Sequence, residues 1–252
     1  MKNKCMLKNL IVISLLSLCV TSCFEDNVPT SYSQSFTGDD NDPWPAEWLI
    51  PAEVSSPLTD ASIQNNRGYL EGIAGSTQVT RMVMQSTQNI NFEVEFRFKF
   101  SNLAGQGLGF YGRQNGGRLT GTPQHGQGYA VFIEGFSNGN TLNLELWHEL
   151  DGVETRETRQ RMSSLVASND SIYRVKFRVE QTVPGVSTTM TAKIWLENES
   201  EPAAWDVTSL SSTAQFPGVG VLQDLTGGFA VDVYNESQTG GLFIDDIVIT
   251  GF

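Results

Sequence analysis

Ten residues in the middle of the chain constrain its fold more than any other segment. Asn91-Phe92-Glu93-Val94-Glu95-Phe96-Arg97-Phe98-Lys99-Phe100 alternates apolar and polar side chains without a break. Successive side chains of an extended strand point to opposite faces, so this run buries one face of a sheet and wets the other. Leu142 to Leu150 (LNLELWHEL) repeats the pattern, meets the two-residue hairpin signal Asp151-Gly152, and returns as Val153 to Arg161. Tyr173 to Glu180 and Met190 to Leu196 form another such pair around Pro184-Gly185. Shorter runs lie at 68–70, 81–84, 107–111, 129–134, 229–234 and 242–250, with only a turn near Ser163 to Val166 suggesting anything helical. About a dozen runs spaced by Gly, Asn, Ser and Pro predict an all-β chain, and alternation predicts antiparallel sheets with polar outer faces. The strands outnumber a minimal immunoglobulin domain, which leaves a larger two-sheet jelly-roll sandwich.

The N-terminus is built differently. Lys2, Lys4 and Lys8 precede an apolar stretch from Leu10 to Val20, and Val20-Thr21-Ser22-Cys23 closes it with small residues and a thiol. This is the three-part layout of a secretory signal over residues 1–22, and the apolar run is too short to span ~30 Å of hydrocarbon. The segment resembles the lipobox of bacterial lipoproteins, in which the signal is cut before a Cys that is then acylated. The resemblance implies lipidation at Cys23, by diacylglycerol and an N-acyl chain of the palmitate type, and anchoring to the outer membrane of the cell envelope. Each buried CH₂ contributes ~0.8 kcal/mol, so three chains hold permanently. Glu25-Asp26 is similar to the acidic export signal that Bacteroidetes lipoproteins carry after this Cys, which implies surface exposure. Residues 23–35 then read as lipidated Cys and flexible tether, and 36–252 as one β domain.

Charge and cysteine use narrow the function classes. Removing 1–22 takes away three Lys and no acid, leaving 13 basic against 28 acidic residues and a net charge of −15. Such a chain lacks the cationic footprint that nucleic acid requires. Cys5 and Cys19 leave with the signal and Cys23 takes the lipid, so the body has no disulfide, thiolate ligand or Cys nucleophile. His125 and His148 are the only imidazoles.

Tyr173-Arg-Val-Lys-Phe-Arg-Val-Glu180, Thr191-Ala-Lys-Ile-Trp195, Glu201-Pro-Ala-Ala-Trp205 and Phe243-Ile-Asp-Asp-Ile-Val-Ile249 resemble the concanavalin A-like lectin/glucanase superfamily in its laminin G-like branch. Phe36-Thr-Gly-Asp-Asp, followed by Trp44 and Trp48, looks like the first strand of such modules. The likeness spans 36–252 and implies a fold that hosts hydrolases, lectins and spacers alike. A glucanase of this kind carries Glu-x-Asp-x-x-Glu on one strand face. Glu145-Leu-Trp-His-Glu149 imitates it without the Asp, making Glu145 and Glu149 the catalytic candidates, whereas Glu93 and Glu95 alternate with Arg97 and Lys99 as a solvated ladder.

A sugar site needs aromatic faces and hydroxyl partners, and Tyr111, Arg113, Gln114, Asn115, Gln127, Tyr129, Glu145 and Trp147 are its candidates, rimmed by Thr120, Gln124 and His125. Trp195 and Trp205 are expected in the core, and Trp44 and Trp48 over one edge. Related sandwiches often hold Ca²⁺ between first and last strands, which here implies Asp39 or Asp40 with Asp245 or Asp246. The expected function is non-catalytic carbohydrate binding, for adhesion or polysaccharide capture. A glycoside hydrolase or lyase using Glu145 and Glu149, and a structural surface module without a ligand, stay open.

Overall fold

The computed structural model describes residues 30–50, 60–71, 76–115, 126–135, 141–235 and 240–252; Cys23, Thr120, Gln124 and His125 lie outside them. In chain order the strands are β1 (Ser31–Gln34), β2 (Trp48–Leu49), β3 (Asp60–Ile63), β4 (Gly68–Glu71) and β5 (Ser76–Asn89). They continue with β6 (Phe92–Phe100), β7 (Gln106–Asn115), β8 (Gln127–Gly135), β9 (Leu142–Leu150) and β10 (Val153–Arg161). The last are β11 (Tyr173–Val183), β12 (Ser187–Leu196), β13 (Val207–Ser212), β14 (Gly227–Asn235) and β15 (Gly241–Gly251). One helical turn, α1 (Gly220–Gln223), precedes β14.

Two antiparallel sheets form, ordered β13-β12-β11-β6-β15-β4-β3 with β1 added on β15, and β10-β9-β8-β7-β14-β5-β2. The alternating run became β6: Phe92, Val94, Phe96, Phe98 and Phe100 are buried, and the residues between them are half-exposed. Its inner face meets β7 and β14 of the other sheet, with Phe96 stacked on Phe110 at 4.9 Å and Phe92 edge-on to Phe229 at 5.0 Å. Outward, Lys176 lies opposite Glu95 and Arg178 opposite Glu93, the solvated charge ladder that the alternation called for. Asp151 (φ 52°) and Gly152 (φ 77°) adopt the left-handed backbone that a tight β9–β10 hairpin needs. Trp44 and Trp48 are buried with Phe36, and Trp195 is buried too. Trp205 is half-buried under Lys193.

Two expectations change. Residues 31–34, assigned to the tether, form β1 and pair with Ile247 to Thr250 of β15. Four residues of polar Ser-Tyr-Ser-Gln show too little pattern to betray a strand, but Tyr32 packs edge-on to Trp48 and accepts a hydrogen bond from its Nε1 at 3.0 Å. The sandwich therefore includes residues 31–34.

The aspartates expected to share Ca²⁺ are not gathered. Asp245 accepts from the Phe36 N–H at 3.2 Å and pairs with Arg97 at 2.6 Å, and Asp246 also pairs with Arg97. Asp40 accepts from the Asn65 N–H, and the Asp39 N–H donates to Asp42. First and last segments do meet, and there Arg97 pairs with both aspartates of the last strand. Among the described residues no three His, Cys, Asp or Glu side chains converge as a metal would require.

Phe96 bridges the two sheets at the centre of the core. Phe96→Ala is expected to cost about 3–5 kcal/mol of unfolding free energy in urea denaturation, through lost burial and the cavity left behind.

Candidate functional site

The outer face of the β10–β2 sheet carries chemistry that the other sheet lacks. In β9 the side chains of Leu144, Leu146 and His148 turn inward and Glu145, Trp147 and Glu149 outward, as the alternation predicts. Strand pairing lines Trp147 up with Ala130, Tyr111, Ala230 and Val83 across five strands. The next row runs Arg159, Glu145, Phe132, Gly109, Asp232, Arg81.

The small residues of these rows make a floor. A Cβ on Gly109 would come within 2.4 Å of Asp232 Oδ1 and 2.8 Å of the Tyr111 ring, and one on Gly107 within 1.9 Å of the Tyr234 ring. These glycines let aromatic rings lie across the sheet. Phe132 is the hub, 5.7 Å from Trp147, 5.8 Å from Tyr234 and 6.4 Å from Tyr111. Trp147 and Tyr234 keep half-exposed edges, and the Arg156 guanidinium lies 5.7 Å from the Trp147 ring centre.

Beside this shelf sits a buried ion network. Arg81, fully buried, donates through Nη2 to Asp232 Oδ2 at 2.8 Å and through Nη1 to Glu149 Oε2 at 3.2 Å. Its Nη2 also lies 3.5 Å from Glu154 Oε1. The guanidinium stacks over Tyr111 at 4.2 Å, and the Tyr111 hydroxyl donates to Glu154. Burial disfavours charge on Arg81, but Tyr111 and the three carboxylates outweigh it and hold its pKa well above the ordinary value. Burial, reinforced by Asp232, keeps the Tyr111 hydroxyl un-ionised far above its usual range. Glu145 accepts from Trp147 Nε1 at 2.8 Å and pairs with Arg159 at 2.9 Å, yet burial still raises its carboxyl above the usual range.

The strand-pairing register slips between Gly112 and Asn115, where Arg113 takes φ 52°. This bulge sends Arg113 and Gln114 to opposite sides. Gln114 comes beside Glu149: a Cβ on Gly126 would lie 3.0 Å from Gln114 Nε2 and 2.6 Å from Glu149 Oε1. Gln114 Oε1 and Nε2, and Glu149 Oε1, are buried without a hydrogen-bond partner among the described residues.

Arg113, by contrast, is buried between the sheets. Its Nη1 donates to Thr188 Oγ1 at 3.1 Å and to the Leu222 carbonyl at 2.9 Å. Burial lowers its pKa to about 10. Tyr129 faces the core, where its hydroxyl accepts from Gln223 Nε2 at 3.0 Å. Both residues therefore leave the expected sugar face, Arg113 because of the bulge and Tyr129 because its strand parity points inward. Asn115 and Gln127 lie opposite each other at the strand ends, half-buried. Of the expected set, Tyr111, Gln114, Glu145 and Trp147 are brought together.

The sequence reading missed Arg81, Asp232, Glu154, Phe132 and Tyr234. A signal existed for two of them: Arg81 and Asp232 are lone charges inside the apolar runs Arg-Met-Val-Met and Phe-Ala-Val-Asp-Val-Tyr.

Solved structures of known proteins share this architecture. A glycoside hydrolase family protein from Mycobacterium thermorestibile is 16% identical, with a TM-score of 0.53 over 86% of this chain and 99% of that one. The laminarinase from Rhodothermus marinus is 9% identical, with a TM-score of 0.53 over 87% and 96%. The catalytic domain of an endo-1,3-beta-glucanase from Thermotoga petrophila is 14% identical, with a TM-score of 0.50 over 88% and 98%. Neither a family model nor a curated protein matches the sequence. At these identities the likeness is one of fold, and it establishes the jelly-roll sandwich of glucanase type.

Arg81→Met should destabilise the protein by about 3–5 kcal/mol near neutral pH, because Asp232 and Glu149 stay buried without their guanidinium. In the variant those carboxyls bind protons more tightly folded than unfolded. The deficit should therefore shrink as pH falls toward the unfolded carboxyl range, about 4. Urea denaturation at neutral and acid pH measures it, and a pH-independent deficit would contradict the assignment.

Proposed function

We propose that the chain is a lipid-anchored envelope protein whose sandwich binds polysaccharide on the outer face of the β10–β2 sheet, without cleaving it, for adhesion or capture. One observation carries this reading: an aromatic shelf with half-exposed edges lies beside buried polar atoms, on Gln114 and Glu149, that have no hydrogen-bond partner among the described residues. Sugar rings offer an apolar C–H face to stack and hydroxyls that satisfy such atoms. The glucanase-type fold, whose solved examples include enzymes of polysaccharide breakdown, supports the same class of ligand.

Binding is favoured over cleavage by how Glu145 and Glu149 are engaged. Glu149 is tied to Arg81, Glu145 to Arg159 and Trp147, and Trp147 stands between them where the glucanase pattern has Asp. A second reading rests on Glu145 alone, because burial shifts its carboxyl upward, the direction that a glycosidic acid needs.

The lipid anchor rests on the sequence around Cys23. With β1 in the sheet, seven residue steps separate Cys23 from Thr30, at most ~25 Å fully extended, so the sandwich would ride close to the bilayer.

A glycan array probed with residues 24–252 should yield a polysaccharide hit that Trp147→Ala weakens at least ten-fold; undiminished binding would reject this face. Release of reducing sugar, abolished by Glu145→Gln, would replace binding with hydrolysis. Cys23→Ser should move the protein from the membrane fraction to the soluble one, and an unmodified Cys23 thiol in mass spectrometry of native material would remove the anchor.

A further inference from the structure

The charge of the network points to one chemical class of glycan. Asp232 closes a pair with Arg81 through Nε at 3.1 Å and Nη2 at 2.8 Å. Glu149 and Glu154 lie against that same guanidinium, so three carboxylates face one positive charge and the group carries a formal excess of two negative charges. Glu149 is buried, its Oε2 bonded to Arg81 and its Oε1 to nothing among the described residues. An unsatisfied carboxylate oxygen in such a place is costly, and a cationic donor offsets that cost better than a hydroxyl does. Gln114 lies next to it with Nε2 as its nearer amide atom, and its Oε1, also buried and without a partner among the described residues, is a second acceptor suited to the same donor.

Among the described residues, the cations of this face that lie nearest the network are already engaged. Arg159 pairs with Glu145 at 2.9 Å and with Glu134 at 3.2 Å. Arg156 lies 3.6 Å from the same Glu145 and over Trp147. A sulfated or uronic sugar would have to break one of these pairs and set its own charge against Glu149 and Glu154. A sugar amine would enter with the sign that the site lacks.

We propose that this face selects glycans bearing a free ammonium group, amino sugars without the N-acetyl cap, and that Glu149 Oε1 and Gln114 Oε1 receive that ammonium while the sugar ring lies on Trp147. The inference deepens the glycan-binding reading and rests on it.

Three β-1,4-linked hexasaccharides that differ only at C2 test it: those of glucosamine, N-acetylglucosamine and glucose. Titration calorimetry is run in buffer acid enough to keep the sugar amine protonated. The glucosamine oligomer should bind at least ten-fold more tightly than the other two. Glu149→Gln should cost about ten-fold of that affinity, given the strength of a charge-assisted contact. Gln114→Leu, which leaves every ion pair in place, should cost a smaller but measurable share. Glu199→Gln removes the same charge from the exposed turn after β12 and should leave affinity unchanged.

Equal affinity for the three oligomers, or a preference for the acetylated or the neutral one, overturns the proposal. So does an equal loss in Glu149→Gln and Glu199→Gln, which would mean general attraction of a polycation to an acidic protein. An array hit on a glycan without an amine, together with no binding of the glucosamine oligomer, defeats this inference and leaves glycan binding standing. An empty array defeats both.

Discussion

The two-residue period of the pleated strand is the constraint on which the rest of this structure depends. It separates an apolar interior from two polar exteriors, and each polar feature of note sits where the period is kept or deliberately broken. Three breaks matter. The bulge at Gly112–Asn115 turns Arg113 inward and brings Gln114 beside Glu149. The bulge at Arg156–Thr158 turns Glu157 inward, where it meets His148 at 2.8 Å and Ser209 of the opposite sheet at 2.6 Å. The slip between Asp245 and Val248 sets Asp246 at φ 48° and leaves both aspartates to Arg97. One extra residue re-aims a side chain by half a turn, which is why bulges collect where a fold needs polar groups in unusual places.

The two outer faces show how burial changes what a charge does. On the β13–β3 sheet Lys176, Arg174 and Arg178 face Glu93 and Glu95 in water, and such exposed pairs contribute about 0–1 kcal/mol each. On the other sheet the Arg81 group is covered by Tyr111 and its neighbours, so its charges interact strongly and cost much to desolvate. A buried arrangement of this kind is weak as a source of stability and strong as a source of geometry. It holds Glu149 with one oxygen engaged and the other buried without a hydrogen-bond partner among the described residues. The floor of Gly107, Gly109, Ala130 and Ala230 makes the covering possible, because larger residues there would lift the aromatic rings away.

Much of this was legible along the chain. The β6, β9 and β11 alternation, the Asp151-Gly152 hairpin and the solvated Glu93–Lys99 ladder all follow from local pattern, because strand parity and turn chemistry are short-range properties. The shared outward face of Glu145, Trp147 and Glu149 follows for the same reason. Arg113 and Tyr129 were misplaced because one depends on a bulge and the other on which face of β8 the core claims. β1 was hidden because its four residues are held by the partner strand and by Trp48 rather than by a pattern of their own.

The sequence by itself determined the class of the protein: an acidic, cysteine-poor, two-sheet antiparallel sandwich. Periodicity, turn residues and composition carry that much, since each acts over a few neighbouring residues. Only the tertiary structure decided that Arg81, Tyr111, Asp232, Glu149 and Glu154, scattered over five strands, form one group around a buried guanidinium, and that the Asp39 to Asp246 set does not converge. Convergence of residues distant in sequence is fixed by strand order and register, which long-range packing selects and no local pattern records.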